Sequence, residues 1–231
     1  TIFLIMRVKK FNLYVNHKIS PFNKSISVDS DKSLSIRSFL IGSICQGISI
    51  ANNVLESEDV KSAIKVCRDL GVKIIKVKNK TYKIYGNGLG SFAIKKNSVL
   101  NFNNSGTLCR LITGIISTTP NIDVKIKGDQ SLNKRSMKKL IYLMSEFGAI
   151  FTPKNKYNLP LKVTSSPMPV GINYKAGVSA QLKSAVILAG LNSYGKTIIE
   201  EKVQSRDHTE NLLKTNTQSI KIKKNKSKVI V

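Results

Sequence analysis

The 231 residues predict an α/β domain of approximate threefold symmetry, with helices inside and small sheets outside. Three observations carry that expectation. The order helix, strand, helix, strand, strand occurs three times. The serines that open the first helix of each copy, Ser33, Ser105 and Ser179, are spaced by 72 (105 minus 33) and 74 (179 minus 105) residues. The composition, 41% hydrophobic, suffices for a substantial core. A copy of this length exceeds the roughly 20–50 residues of a solenoid repeat, so the three copies are expected to bury their apolar faces against one another.

In the first copy, residues 33–47 read as a helix with apolar Leu34, Ile36, Phe39, Leu40, Ile44 and Cys45, stopping at Gly47. The strand ISIAN follows. Next, SEDVKSAIKVCRDLG combines an acidic first turn with an apolar stripe of Val60, Ala63, Ile64, Cys67 and Leu70, and Gly71 ends it. The strands VKIIKV and TYKIYG close the copy across the turn KNK. The second copy reads helix GTLCRLITGII, strand IDVKIKG, helix RSMKKLIYLMSEFG and strands AIFTP and LKVTS. The third reads helix AQLKSAVILAGL, strand KTIIEE, helix DHTENLLKT and strands SIKIK and KVIV. Thr215 and Asn216 stand where the earlier copies have Gly71 and Gly148, and Asn tolerates the left-handed cap.

Cys45, Cys67 and Cys109 form no C-x-x-C pair and lie in apolar helical patterns, as buried thiols of a reducing cytosol do. TIFLIM, before Arg7 and Lys9, is too short for a signal core, and no apolar run approaches the roughly 20 residues of a membrane span. The formal charge of +25 suggests phosphate-bearing partners. A nucleic-acid module finds support in that charge alone, since the chain has no Trp, no aromatic platform motif and no zinc spacing.

GLNSYGKT, residues 190–197, fits the spacing of a phosphate loop, but in reversed context: a helix ends at Gly190 and a strand begins at Lys196. The negative end of a helix dipole repels an anion. The starts of the three first helices are better anion sites, because free N–H groups, hydroxyls and convergent dipoles meet there. Around them stand Lys32, Ser33 and Arg37; Asn104, Ser105, Gly106, Thr107 and Arg110; and Ser179 and Gln181. Lys32, Arg37, Arg110, Arg135 and Arg206 place positive charge at expected helix starts, against the dipole, unless an anion sits between. His208 in DHTE reads as part of a capping box.

DKSLSIRS, NNSGTLCRLITG, GDQSLNKRSM, VSAQLKSAVILAGL and SRDHTENLL occur in this order, and with them the chain from about residue 20 onward resembles the 5-enolpyruvylshikimate-3-phosphate (EPSP) synthase family. The resemblance implies a cytoplasmic enzyme, monomeric at full length, with two similar domains of three such units each. These close over shikimate 3-phosphate and phosphoenolpyruvate without cofactor, metal, nucleic acid or membrane. Residues 21–231 would form the first domain, with units at about 31–100, 101–173 and 174–231. Residues 1–20 are expected to associate with a second domain that this sequence lacks.

By the family pattern Lys32 is the catalytic residue here and touches both substrates. Ser33, Arg37, Ser179, Ala180, Gln181 and Ser205 line the shikimate 3-phosphate site, and Asn104, Gly106, Arg135 and Gln181 the phosphoenolpyruvate site. The implied chemistry is attack of the 5-hydroxyl on C2 of phosphoenolpyruvate with protonation of C3, then loss of phosphate from a tetrahedral intermediate, in chorismate biosynthesis. The family's acid/base Asp and Lys belong to the second domain, so these residues alone are expected to be inactive. Asp29 and Ser30 replace the usual Pro-Gly ahead of the first motif. The sister family acting on UDP-N-acetylglucosamine is the enzyme alternative. It carries a reactive Cys in the loop that reads GDQSLNK here, and Lys-Asn where this chain has Asp-Lys-Ser.

Overall fold

The structure, a computed structural model, describes residues 29–95, 97–216, 220–222 and 228–231. The expected N-terminal segment 1–20 and the stretch 217–219 after the last helix lie outside them. The first copy comprises α1 (Lys32–Ile44), β1 (Gln46–Ala51), α2 (Glu58–Asp69), β2 (Lys73–Lys78) and β3 (Thr81–Asn87). The second comprises β4 (Val99–Asn101), α3 (Gly106–Thr118), β5 (Asp123–Lys127), α4 (Gln130–Lys134), α5 (Lys138–Glu146), β6 (Ile150–Thr152) and β7 (Leu161–Thr164). The third comprises β8 (Asn173–Ala176), α6 (Ala180–Gly190), β9 (Ile198–Glu201), α7 (His208–Asn216), β10 (Lys221–Ile222) and β11 (Lys228–Ile230).

Each copy builds its own sheet, ordered β1-β3-β2, β4-β5-β7-β6 and β10-β11-β9-β8. The last two share one topology: β4 and β8 run parallel to β5 and β9, and every other pairing is antiparallel. These parallel strands ahead of α3 and α6 add a member to the repeat unit. They were not legible as elements because VLN and NYKA are too short to carry an alternation.

Burial separates two kinds of helix. In α3, twelve of thirteen residues are buried, and in α6 everything from Leu182 to Gly190, as an all-round core helix requires. α2 and α5 instead bury one stripe, including Val60, Ala63, Ile64 and Cys67 in α2 and Leu140, Ile141, Leu143 and Met144 in α5. Thus α1, α3 and α6 occupy the interior. A Cβ on Gly114 would run into the backbone of Ala185, so the missing side chain sets the close approach of α3 to α6.

Several helix ends follow local chemistry, and two elements differ from the sequence expectation. Glu58 and Asp59 open α2, and Gly71 at φ +89° and Gly148 at φ +94° follow α2 and α5 in the left-handed conformation. α1, expected to reach Gly47, ends at Ile44, with Cys45 extended and half-buried. The chain leaves early because Gln46 begins pairing with Asn87 of β3, and the Cys45 carbonyl accepts from Gly88 N–H at 3.1 Å. The second difference is α4, which occupies Gln130–Lys134 in what reads as a loop. Arg135 is therefore its C-cap rather than the start of α5, and there a cation agrees with the dipole. No helix among the described residues is long and apolar enough to cross a membrane.

Candidate active site

Side-chain contacts show that the interior helices run side by side in the same direction. Gln181 Nε2 donates to Thr107 Oγ1 near the N-termini of α6 and α3, Ala185 meets Gly114 midway, and Asn192 Nδ2 donates to the Thr118 carbonyl at the far end. α1 joins through Arg37, whose Nη2 donates to Ser184 Oγ of α6 at 3.1 Å. All three N-termini therefore open on one side of the domain. Ser105 and Ser179 cap α3 and α6 by accepting from Leu108 N–H and Leu182 N–H. The cap of α1 is Asp31, whose Oδ1 accepts from Leu34 N–H at 2.6 Å, so Ser33 lies within the first turn instead of opening it. With that correction the true caps, Asp31, Ser105 and Ser179, are evenly spaced, 105 minus 31 and 179 minus 105 both being 74.

The α3 start gathers positive charge. A Cβ on Gly106 would come within 2.9 Å of Arg110 Nη1 and 3.1 Å of Arg135 Nη1, so two guanidiniums lean over one buried glycine. Arg110 Nη1 donates to the Gly106 carbonyl and to Gln181 Oε1, both at 3.0 Å. Among the described residues neither Arg110 nor Arg135 has a carboxylate partner. Burial, and then the like charge of Arg135, pull the Arg110 pKa below its ordinary value. Two cations held close together at a helix N-terminus favour a bound anion. A cleft of about 720 Å³ opens beside them, against Arg110, Met137, Leu140, Val178 and Ser179.

Arg37 has a different setting. It is 4% exposed, and its Nε donates to Thr209 Oγ1 at 2.8 Å and its Nη1 to the Ser33 carbonyl at 3.0 Å. Thr209 passes a hydrogen bond on to Ser184, which donates to the Ala180 carbonyl. Burial lowers the Arg37 pKa, and Glu210 and Asp31 partly offset it. Glu210 was expected to reach back within a capping box. Instead its Oε1 sits 2.6 Å from Lys183 Nζ of α6, because a buried ammonium attracts a carboxylate more strongly than one exposed N–H does.

The sequence-derived residues thus divide. Arg37, Gly106, Arg135, Ser179, Ala180 and Gln181 share the open ends of the interior helices, and Arg110 and Thr107 tie them together. Asn104 is exposed and donates to Asp129 Oδ2 at 2.9 Å, which fastens the loop before α3 to the cap of α4. Lys32 does not join the arginines in this structure: its ammonium pairs with Asp59 Oδ2 of α2 at 2.9 Å. Ser205 gives both its hydroxyl and its N–H to Glu201 Oε1, at 2.6 and 3.1 Å. GLNSYGKT is the turn out of α6: Gly195 takes φ +78° and Thr197 is fully buried ahead of β9.

Residues 16–231 match the family model described as EPSP synthase (3-phosphoshikimate 1-carboxyvinyltransferase). The chain belongs to the EPSP synthase family. It is 41% identical over 202 residues to a 3-phosphoshikimate 1-carboxyvinyltransferase of Ruthia magnifica, covering 87% of this chain and 46% of that protein. It is 40% identical over 213 residues to the enzyme of the same name from Vesicomyosocius okutanii, covering 90% and 48%. Among solved structures it resembles EPSP synthase from Acinetobacter baumannii, with a TM-score of 0.82 and 34% identity over 89% of this chain and 46% of that one. The chain spans about half the length of the relatives it matches, and the likeness agrees with an α/β domain of the enolpyruvyl transferase fold.

The sequence motifs of the family point to Arg37, Arg135 and Gln181 directly. Thr107 stands among the helix-start candidates of the sequence, but Ser184 and Thr209 are not singled out by any pattern, because their role arises only from contact with Arg37 of the first copy. The buried pairing of Lys183 with two glutamates is likewise invisible in sequence: a Lys inside an apolar helix pattern reads as one exposed position.

Proposed function

We propose that this chain is the part of a 3-phosphoshikimate 1-carboxyvinyltransferase that receives both substrates. It would transfer the enolpyruvyl group of phosphoenolpyruvate to the 5-hydroxyl of shikimate 3-phosphate in cytoplasmic chorismate biosynthesis, without cofactor. Residues 21–231 act as one domain, with units at about 31–100, 101–173 and 174–231, in an enzyme that is monomeric at full length. The observation that carries the reading is the pair Arg110 and Arg135 over Gly106, without carboxylate partners among the described residues, at the open end of the interior helices.

In this reading the phosphate of phosphoenolpyruvate lies against Arg135, Gly106 and Asn104, with Gln181 reaching both substrates. Ser33, Arg37, Ser179, Ala180 and Ser205 hold shikimate 3-phosphate, and Lys32 leaves Asp59 to contact both ligands. The 5-hydroxyl oxygen bonds to C2 as its proton departs and C3 gains one. The tetrahedral intermediate then loses phosphate from C2 and a proton from C3. The cations stabilise charge that grows on the leaving phosphate.

Titration calorimetry of shikimate 3-phosphate into this chain tests the reading. Heat of binding that Arg37→Ala abolishes is expected, and no heat from the wild type would overturn the claim of a preformed half-site. The purified 231 residues alone are expected to give no enolpyruvyl transfer, because the matched relatives are about twice as long and the family's acid/base pair lies in their other half.

A further inference from the structure

Behind the substrate side of α6 lies an ion cluster that the chemistry above does not use. Lys183 is 1% exposed, and its ammonium lies 2.8 Å from Glu201 Oε2 and 2.6 Å from Glu210 Oε1, both glutamates being buried. Taking three charges out of water is costly, and a buried charged trio is weak evidence for stability as such, so its value must be sought in what it positions. Two arms leave it. Along the first, Glu201 Oε1 accepts both the hydroxyl and the backbone N–H of Ser205. Along the second, Glu210 fixes the first turn of α7, where the neighbouring Thr209 accepts from Arg37 Nε. The residue after Lys183, Ser184, receives Arg37 Nη2.

We propose that Lys183 is a positioning residue: through Glu201 and Glu210 it fixes Ser205 and the Thr209 partner of Arg37, and so sets the phosphate-facing geometry on the α6 side of the site. This rests on the functional reading above, in which Ser205 and Arg37 meet shikimate 3-phosphate. The ammonium touches no substrate. Its two carboxylates hold two separate elements, the loop after β9 and the start of α7, at one fixed separation.

Two variants test this: Lys183→Met, and the triple substitution Lys183→Met, Glu201→Leu, Glu210→Leu, which removes all three charges and keeps an apolar interior able to fold. Lys196→Met, at the other end of α6 and exposed, serves as the charge control. In both test variants the Ser205 amide is expected to lose protection from hydrogen exchange while the Ile187 amide within α6 keeps its own. Shikimate 3-phosphate is expected to bind roughly tenfold more weakly, the scale of outer-shell changes at other sites. Adding Ser205→Ala to Lys183→Met should cost less than the sum of the two single losses. Unchanged Ser205 exchange in both variants, or fully additive losses in binding, would overturn the proposal. If the wild type itself takes up no shikimate 3-phosphate, the functional reading fails, and the Ser205 amide still decides by itself whether Lys183 holds that residue.

Discussion

The Arg37 side and the Arg110 side of the site contain similar cations in opposite circumstances. Around Lys183 the positive charge is buried and answered from within by Glu201 and Glu210, and beside it the buried Arg37 guanidinium is held in place by Thr209, Ser184 and the Ser33 carbonyl. Around Gly106, Arg110 and Arg135 lie close together with neutral partners at most among the described residues. In the first arrangement Lys183 spends its charge on holding α6 to Glu201 and to the start of α7, while Arg37 is positioned by neutral groups and keeps its charge for a ligand. The second leaves its charge to be satisfied from outside, as a binding site must.

The sharpest way to break the comparison is to remove one cation from each side. Lys183→Met strands two buried carboxylates and is expected to lower stability by about 3–5 kcal/mol. Arg135→Ala is expected to change stability by no more than about 0.5 kcal/mol, because the side chain is exposed and has no acidic partner to orphan among the described residues. Urea midpoints of the two variants check this. Equal losses would mean that the two sides do not differ in kind.

Buried thiols mark a third setting. Burial pushes the Cys67 and Cys109 thiols from 9.0 up to about 12. A pKa raised by folding means that the unfolded chain ionises first, so stability is intact below pH 9 and falls as pH rises from about 9 toward 12. Stability measured from pH 8 to 11 should fall in the wild type and fall less steeply in Cys67→Ala and Cys109→Ala. At pH 8, iodoacetamide should label half-buried Cys45 well before either of them.

Gly106→Ala sharpens the comparison on the binding side. The new methyl would press on the flexible ends of Arg110 and Arg135 and touch Leu132 Cδ1 at an ordinary 3.8 Å, so the fold should tolerate it within about 0.5 kcal/mol. Those ends are what gather at the helix N-terminus, and phosphoenolpyruvate affinity should fall by about tenfold, or ~1.4 kcal/mol. Calorimetry with phosphoenolpyruvate in the presence of shikimate 3-phosphate provides the reading. A variant that binds as tightly as the wild type would show that the close approach is incidental.

Much of this division was legible in the sequence. The three interior helices and their shared direction follow from the near-constant spacing of Ser33, Ser105 and Ser179, and motif order supplies the residues of the proposed site. What escaped has a common cause. α4 is five residues long and too short for periodicity, so Arg135 was assigned to the wrong helix end. Asp31 and Ser33 are both good caps two residues apart, and only the Leu34 N–H bond distinguishes them. Glu210 satisfies a local capping pattern, yet a partner 27 residues away in sequence, Lys183, overrides it. Short-range chemistry writes itself into sequence, whereas pairings distant along the chain do not.

Lys32 provides the finest test. Its partner Asp59 stands in the first turn of α2, where a carboxylate is favourable to the dipole on its own account, and the pair is half open to solvent. Such a pair is worth about 0–1 kcal/mol, so Asp59→Asn should lower the urea midpoint only slightly. If Lys32 belongs to the outward-facing set with Arg110 and Arg135, freeing it should raise affinity for shikimate 3-phosphate by roughly two- to fivefold at low ionic strength. The gain should shrink as salt shortens the Debye length from about 30 Å at 0.01 M to 8 Å at 0.15 M. If affinity is unchanged at both salt concentrations, the Lys32 ammonium is a fastening between α1 and α2, and belongs with Lys183 among the charges the fold answers for itself.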